Sequence, residues 1–174
     1  MKIFSYNPPK LKPSTKRTKV KDEQGNVVCW FERVYPNVIA KMCNYVFGID
    51  WSAQIQVYSA DGHPVFQCNK KTPWLGRPEY SVQRSDTQDV FRVTYKSWQK
   101  VAPEFKVTYQ DQEYVIKKDM FDWAKFMHSG KELARWRMKT TEGFKVRLEI
   151  EEASPIQEPE FFVALFHSIF LIGD

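Results

Sequence analysis

The sequence is poor in the residues that build metal centres, disulfides and phosphate-binding loops. It has three cysteines, three histidines and seven scattered glycines. The odd number of cysteines and the lack of C-x-x-C spacing argue against a disulfide framework and, with so few histidines, against a structural zinc site. The glycines form no phosphate-cradling motif. Because no serine, cysteine or carboxylate pair has the spacing of a nucleophile or an acid–base pair, we predict a non-enzymatic protein without metal or cofactor.

Long hydrophobic runs are also missing, with one exception at residues 161–172. At ~1.5 Å per residue a helix over this run is about 18 Å long, well short of the ~30 Å hydrocarbon core of a bilayer, so no transmembrane segment is predicted. Pro159 and Glu160 before the run and Gly173 after it are helix start and stop signals. Since the run is apolar almost all the way round, the predicted helix must be buried, with His167 as a neutral, hydrogen-bonded core histidine.

Acidic residues are absent from residues 1–21, which carry seven lysines and arginines, whereas residues 151–174 carry five acids and no lysine or arginine. The net charge is +5. A basic first segment attracts an anionic membrane, a nucleic acid or an acidic partner; the alternative is a solvated edge strand that lysines protect against aggregation. Unpaired cysteines and the lack of an apolar leader predict a cytoplasmic protein, free or peripheral at the inner face of the membrane.

Short strands separated by polar turns recur along the chain. The four clearest predicted hairpins cover residues 18–31, 54–68, 105–116 and 133–150. Their turns hold the Asp, Gly and Asn that positive φ angles need, and their flanks are β-branched and aromatic. In the last hairpin Phe144, Val146, Leu148 and Ile150 alternate with charged residues, as in a strand with one wet face. We count about ten to twelve strands, spaced as in an all-β barrel or sandwich, in a single domain over residues 1–174.

One segment interrupts the strand pattern, residues 119–130. Asp119 is placed as a helix N-cap and Gly130 as the residue past the helix end, which predicts a short helix. It is expected to cap the mouth of a barrel, or else to lie on a membrane as an amphipathic segment. The C-terminal helix is then the natural filler for the interior of the barrel, because strands with one apolar face must enclose something apolar.

Two basic clusters are candidate binding sites. The first, which we call the loop cluster, lies in a Pro/Gly-rich loop followed by Arg84 and consists of Lys70, Lys71, Trp74 and Arg77. Cations beside an indole suit a phosphate headgroup at a membrane interface; the alternative is a loop packed by its tryptophan. The second, which we call the hairpin cluster, consists of Arg135, Arg137, Lys139, Lys145 and Arg147. Across a hairpin these charges lie side by side and need anions or acidic neighbours such as Glu149 and Glu151; the alternative is a solvated outer face.

The repeated hairpins, turns such as Asp61-Gly62 and Glu142-Gly143, and the ending from Pro159 to Phe166 resemble the tubby C-terminal-like superfamily. This superfamily includes the tubby domain, the phospholipid scramblases and the LURP-one-related proteins, and the sequence resembles its small bacterial members more than the animal tubby proteins. The resemblance implies a closed antiparallel barrel of about a dozen strands around a buried hydrophobic C-terminal helix. It also implies a lipid-facing role, although the family's basic ligands cannot be aligned to this sequence residue by residue.

The sequence as a whole therefore predicts a binding module for anionic phospholipid headgroups or membrane surfaces. Its candidate ligand-binding residues are Lys70, Lys71, Trp74, Arg77, Arg135, Arg137, Lys145 and Arg147. The alternative is a protein-interaction adaptor without a lipid ligand, which self-neutralised basic clusters would favour. The sequence argues against nucleic-acid binding, because the middle of the chain is nearly charge-balanced and no RNA-binding signature is present.

Overall fold

Twelve antiparallel strands form a closed barrel around one helix in the described part of the chain. The computed structural model describes residues 1–9, 14–36, 54–73, 76–87, 89–97, 102–118, 122–139 and 143–170. The strands are β1 (Lys2–Tyr6), β2 (Thr18–Asp22), β3 (Val27–Val34), β4 (Gln54–Ser59), β5 (Pro64–Lys71), β6 (Glu79–Arg84), β7 (Val90–Tyr95), β8 (Glu104–Tyr109), β9 (Gln112–Lys118), β10 (Ala124–His128), β11 (Lys131–Lys139) and β12 (Lys145–Ile150). Each strand pairs with its neighbour in the chain, and β1 closes the barrel by pairing with β12.

The helix α1 (Pro159–Phe170) fills the barrel, which confirms the predicted fold class. Every residue from Phe161 to Ile169 is buried, although the segment includes His167 and Ser168. A helix with no exposed face cannot lie on a surface, and the inward residues of all twelve strands supply its apolar surroundings.

Alternation along each strand sends one set of side chains to this core and the other to solvent. In β12 Val146 and Leu148 are fully buried while Lys145 and Arg147 are exposed, as the sequence predicted. Phe144, predicted on the same apolar face, is instead 43% exposed and precedes the strand with a φ of +66°. Glu149 has the outward phase but is only 3% exposed, because neighbouring side chains cover it. This buried carboxylate is central to the surface described below.

The turns follow the predicted chemistry. At the β2–β3 turn the backbone N–H of Asn26 donates to Asp22 Oδ1 at 2.8 Å, and Gly25 has a φ of +87°. At the β4–β5 turn Gly62 has a φ of +88° and donates its N–H to the carbonyl of Ser59. Both glycines take the left-handed conformation that a side chain would strain, so these positions fix where the hairpins fold.

The helix does not lie on the barrel axis. Its backbone runs close to β3–β6, and the opposite side of the interior is filled by large rings. Phe162, Phe166 and Phe170 point from one helix face toward Phe126 of β10 and Trp136 of β11. On the opposite face Ala164 and Ser168 are small, and this allows the helix backbone to approach β4 and β5 closely.

The predicted short helix over residues 119–130 is wrong. Residues 119–121 lie outside the described part, but Ala124–His128 form strand β10, and Ser129 and Gly130 form its turn with β11. Ala124 and Phe126 face the core and Lys125 faces outward, so the true period is two. Gly130, interpreted as a helix end, has the positive φ of a hairpin turn instead, at +79°.

Candidate anion-binding surface

Closure of the barrel brings the basic N-terminal segment beside the last hairpin. Ser5 of β1 lies opposite Lys21 of β2 on one side and Arg147 of β12 on the other. Arg147 in turn lies opposite Arg137 of β11. These four side chains therefore form one row on the outer face across four strands, about 5 Å from neighbour to neighbour.

Two more lysines extend this row along the strands. Lys19 precedes Lys21 by two residues in β2, and Lys145 precedes Arg147 by two in β12, so both share the outward face. We call the resulting surface the basic band. It consists of Lys19, Lys21, Arg137, Lys145 and Arg147.

The interpretation of the N-terminal lysines as protection of an edge strand is wrong. Strand β2 pairs with β1 on one side and with β3 on the other, and a closed barrel has no edge to protect. The lysines of β2 therefore do not protect an edge. They form part of the basic band instead.

A groove of about 790 Å³ runs beside the band, between the start of the chain and β12. Its cationic lining residues are Lys16, Arg17, Lys19, Lys21 and Lys145. None of the described residues that line it is acidic. Of these five, only Arg17 forms an ion pair with a described residue: Glu32 accepts hydrogen bonds from its Nε and Nη2 at 3.3 Å and raises its pKa. The groove therefore keeps a strong positive character.

Glu149 organises the arginine end of the band. Its Oε2 accepts a hydrogen bond from Arg135 Nε at 2.5 Å, and its Oε1 accepts one from Arg147 Nε at 2.6 Å. Arg135 also lies 3.7 Å from the carboxylate of Glu132. One buried carboxylate thus holds two arginines, a geometry that satisfies the carboxylate without neutralising both cations.

Trp123, the residue just before β10, contacts one of these arginines, Arg135, together with Arg137. The guanidinium carbons of Arg135 and Arg137 each lie 4.7 Å from the centre of its ring, within cation–π range. Arg137 forms no ion pair with the described residues, and its buried Nε lacks a hydrogen-bond partner among them. Its guanidinium is held by the ring, and no described residue forms an ion pair with it.

The loop cluster has a different structure. Arg77 donates a hydrogen bond to the backbone carbonyl of Ser97 and stacks on Tyr95 at 4.8 Å, so its guanidinium joins two loops. Lys70 and Lys71 lie at the end of β5, and Trp74 lies outside the described residues. Lys70, Lys71 and Arg77 do not form a common surface with the residues of β11 and β12, because β5 and β6 occupy the opposite part of the barrel.

Arg84, which the sequence places after the loop cluster, is also occupied. It forms an ion pair with Glu158 just before α1 and lies 3.9 Å from Asp86. Its guanidinium also covers the ring of Phe66. Arg84 therefore tethers the start of the helix to the wall of the barrel, which is a structural role.

Sequence reasoning found the hairpin half of the band and missed the other half. Arg137 lies opposite Arg147 and Lys139 lies opposite Lys145, as the predicted hairpin requires. The contribution of Lys19 and Lys21 was missed, because it depends on the pairing of β1 with β12. The available signal was the lack of any acid among residues 1–21, which marked the segment as basic without locating it.

Other chemistry finds little support in the described residues. Burial raises the pKa of the Cys68 thiol to about 12, so it carries almost no nucleophilic thiolate at neutral pH. No group of three or more described His, Cys, Asp or Glu side chains is arranged to hold a metal ion. Within the same residues, no helix is both long and apolar enough to cross a bilayer.

Comparison with known proteins identified one family. The family model of the Tubby C-terminal like domain matches residues 4–172, nearly the whole chain. Neither the curated proteins nor the solved structures gave a match. The matched range begins in β1 and extends past α1, so it spans both partners of the barrel closure and the buried helix.

Proposed function

This chain belongs to the Tubby C-terminal like domain family, and from that premise we propose that it binds membrane surfaces rich in anionic phospholipids through the basic band. Lipid binding is known for the family, whose barrels are generally non-enzymatic. The family does not by itself choose a surface of the barrel. The choice of surface rests on the side chains of this chain.

One observation carries the proposal: a cationic surface that crosses four adjacent strands. Lys21 and Lys145 form no ion pair with any described residue, and both line the groove, whose described lining residues include no acid. Each cation close to an anionic bilayer contributes on the order of 1 kcal/mol, and the contribution falls off within a Debye length of about 8–10 Å. Side chains on one face of a rigid barrel reach the bilayer together, so their contributions combine.

Aromatic side chains border the lysine end of the band. Trp30 of β3 has Lys19 over its ring at 5.0 Å and lies opposite Tyr58 of β4. Trp and Tyr favour the interface between water and hydrocarbon, where an apolar ring and a polar tip are both accommodated. The border therefore suits a surface that docks against headgroups without penetrating the bilayer.

Vesicle flotation tests the proposal. The protein is mixed with neutral phosphatidylcholine vesicles or with phosphatidylglycerol-rich vesicles, each at low and at high salt. We expect co-flotation with the anionic vesicles only, and its loss at high salt. The double variant Lys21→Gln/Lys145→Gln should bind roughly 30-fold more weakly, since two cations at ~1 kcal/mol each are removed.

The matched control is Lys70→Gln/Lys71→Gln, which removes the same charge from the opposite part of the barrel. We expect less than about a threefold change, because those lysines face away from the docked bilayer. Equal losses in the two double variants would refute the band as the binding surface. No flotation under any condition would refute membrane binding and favour a protein-interaction adaptor.

A further inference from the structure

We propose that Arg135, Arg137 and Arg147 form a preorganised site for a phosphate monoester, with Glu149 as its positioning residue. We call these three residues the arginine cluster. The inference rests on the proposed function, since it assigns a headgroup chemistry to one end of the surface that meets the membrane.

The hydrogen bonds of Glu149 leave the outer edges of its arginines available. Both bonds use Nε, the nitrogen closest to the chain, and each uses a different carboxylate oxygen. The terminal nitrogens of Arg147 have no partner among the described residues, and its side chain is 49% exposed. Glu149 is 3% exposed, so it lies beneath the arginines and does not compete for a ligand that approaches from solvent.

Arg137 completes the cluster without a carboxylate partner among the residues that the structure describes. It lies directly opposite Arg147 across the β11–β12 ladder, which places the two guanidinium groups within reach of one anion. The guanidinium carbon of Arg137 lies 4.7 Å from the centre of the Trp123 ring, the same distance as for Arg135. Like charges this close repel each other, and a bound anion relieves that repulsion.

The balance of charge favours a doubly charged anion. The three arginines face two carboxylates, Glu149 and the more peripheral Glu132, which also lies 3.9 Å from Lys125. A phosphate monoester carries about −1.5 to −2 charges at pH 7 and three terminal oxygens. Guanidinium forks match such oxygens in pairs, whereas a diester offers one charge and two free oxygens. The cluster is therefore expected to distinguish monoesters from diesters, which the lysines of the band cannot do.

The experiment compares two vesicle compositions of equal surface charge. One carries phosphatidic acid, a monoester, and the other carries phosphatidylglycerol, a diester. We expect the protein to prefer the phosphatidic acid vesicles about tenfold. The variant Arg137→Lys/Arg147→Lys keeps the charge but removes the forks, so it should bind both vesicles to within about twofold. The matched control Arg92→Lys, on the outer face of β7, should keep the preference.

Glu149→Gln tests the positioning role, because the change in charge and the loss of positioning are expected to act in opposite directions. The substitution removes one negative charge and should strengthen binding to phosphatidylglycerol. Since an amide offers only one acceptor oxygen, one arginine is released, and the preference for phosphatidic acid should fall. A preference that is unchanged in this variant, or unchanged in the double lysine variant, would overturn the inference.

A soluble monoester separates the two possible sources of the ligand. Displacement from phosphatidic acid vesicles by millimolar glycerol 3-phosphate would show that the cluster binds the monoester group itself. A preserved preference without displacement would restrict the site to headgroups at a membrane. Binding to phosphatidylglycerol without any preference refutes the arginine site alone, whereas no binding to either vesicle refutes the proposed function.

Discussion

The two sides of the barrel are built differently, inside and outside. On the near side, β3–β6, the helix backbone lies close to the strands, and the outer arginines Arg77 and Arg84 are occupied by acceptors from the rest of the fold. On the far side, β10–β12 with β1, aromatic rings separate the helix from the strands. There Arg135 and Arg147 share one buried carboxylate, and Arg137 forms no ion pair with the described residues. The number of acceptors per cation, and not the number of cations, separates a structural surface from a candidate binding surface.

The first test of this difference between the two sides removes the largest ring of the far side. Trp136 is 2% exposed, stacks on Phe166 and Phe170, and donates its indole N–H to Tyr6 at 3.0 Å. Trp136→Ala is expected to lower the free energy of unfolding by ~3–5 kcal/mol, because the distant helix cannot collapse into the cavity. For a chain of this size that is roughly 6–20 °C in Tm, measurable by calorimetry.

Ile55→Val is the near-side control. Ile55 is 1% exposed in β4, against which the helix packs closely, and losing one methylene there should cost ~0.5–1.5 kcal/mol. If Trp136→Ala cost no more than this control, the rings of the far side would not be the packing that supports β11 and β12.

The barrel and its helix could be predicted because the relevant patterns are local. The alternation from Lys145 to Ile150 and the apolar run between Pro159 and Gly173 are visible in short stretches of sequence. The helix predicted over strand β10 is wrong because the large apolar side chains of Trp123, Phe126 and Met127 fit the spacing of a helix as well. Gly130 is also as suitable for a hairpin turn as for a helix end.

The candidate surface could not be predicted in full because it depends on contacts between distant residues. Lys21 reaches the last hairpin only through the closing pair of β1 and β12, about 140 residues apart. The occupation of Arg77 depends on a backbone carbonyl 20 residues later, at Ser97, which no spacing rule indicates. Clusters of cations were thus visible in the sequence, but their partners were not.

The second test uses pH at the point where the two sides meet. His167 lies against Phe31 of β3 and Tyr6 of β1, and its Nδ1 has no hydrogen-bond partner among the described residues. It is buried as the sequence predicted, and burial, with the charge of Arg33, lowers its pKa to about 3. The folded chain therefore keeps this imidazole neutral while the unfolded chain protonates it below pH 6.5.

Stability should accordingly fall as pH falls through the window from about 6.5 to 3, because the unfolded state binds the extra proton. At pH 5 the loss attributable to this group is about 2 kcal/mol. Denaturant unfolding of the wild type and of His167→Gln at pH 7 and pH 5 isolates it, with His63→Gln, at the exposed β4–β5 turn, as control. A pH dependence that the His167 substitution leaves intact would assign the acid sensitivity to other groups.

The third and smallest expected effect concerns the two carboxylates that define the comparison. Glu149→Gln should lower the free energy of unfolding by ~1–2 kcal/mol, since the acceptor is buried but its arginines are 34% and 49% exposed and can turn toward water. Glu158→Gln, which removes the partner of Arg84, should cost at most ~1 kcal/mol. The side chain of Glu158 is 37% exposed, against 3% for Glu149, so less burial is lost with its ion pair. Chemical denaturation of the two variants in parallel measures the difference. A larger cost for Glu158 would mean that the near side depends more on its ion pair than the far side does. That result would contradict the expectation that the buried Glu149 contributes more to stability than Glu158 does.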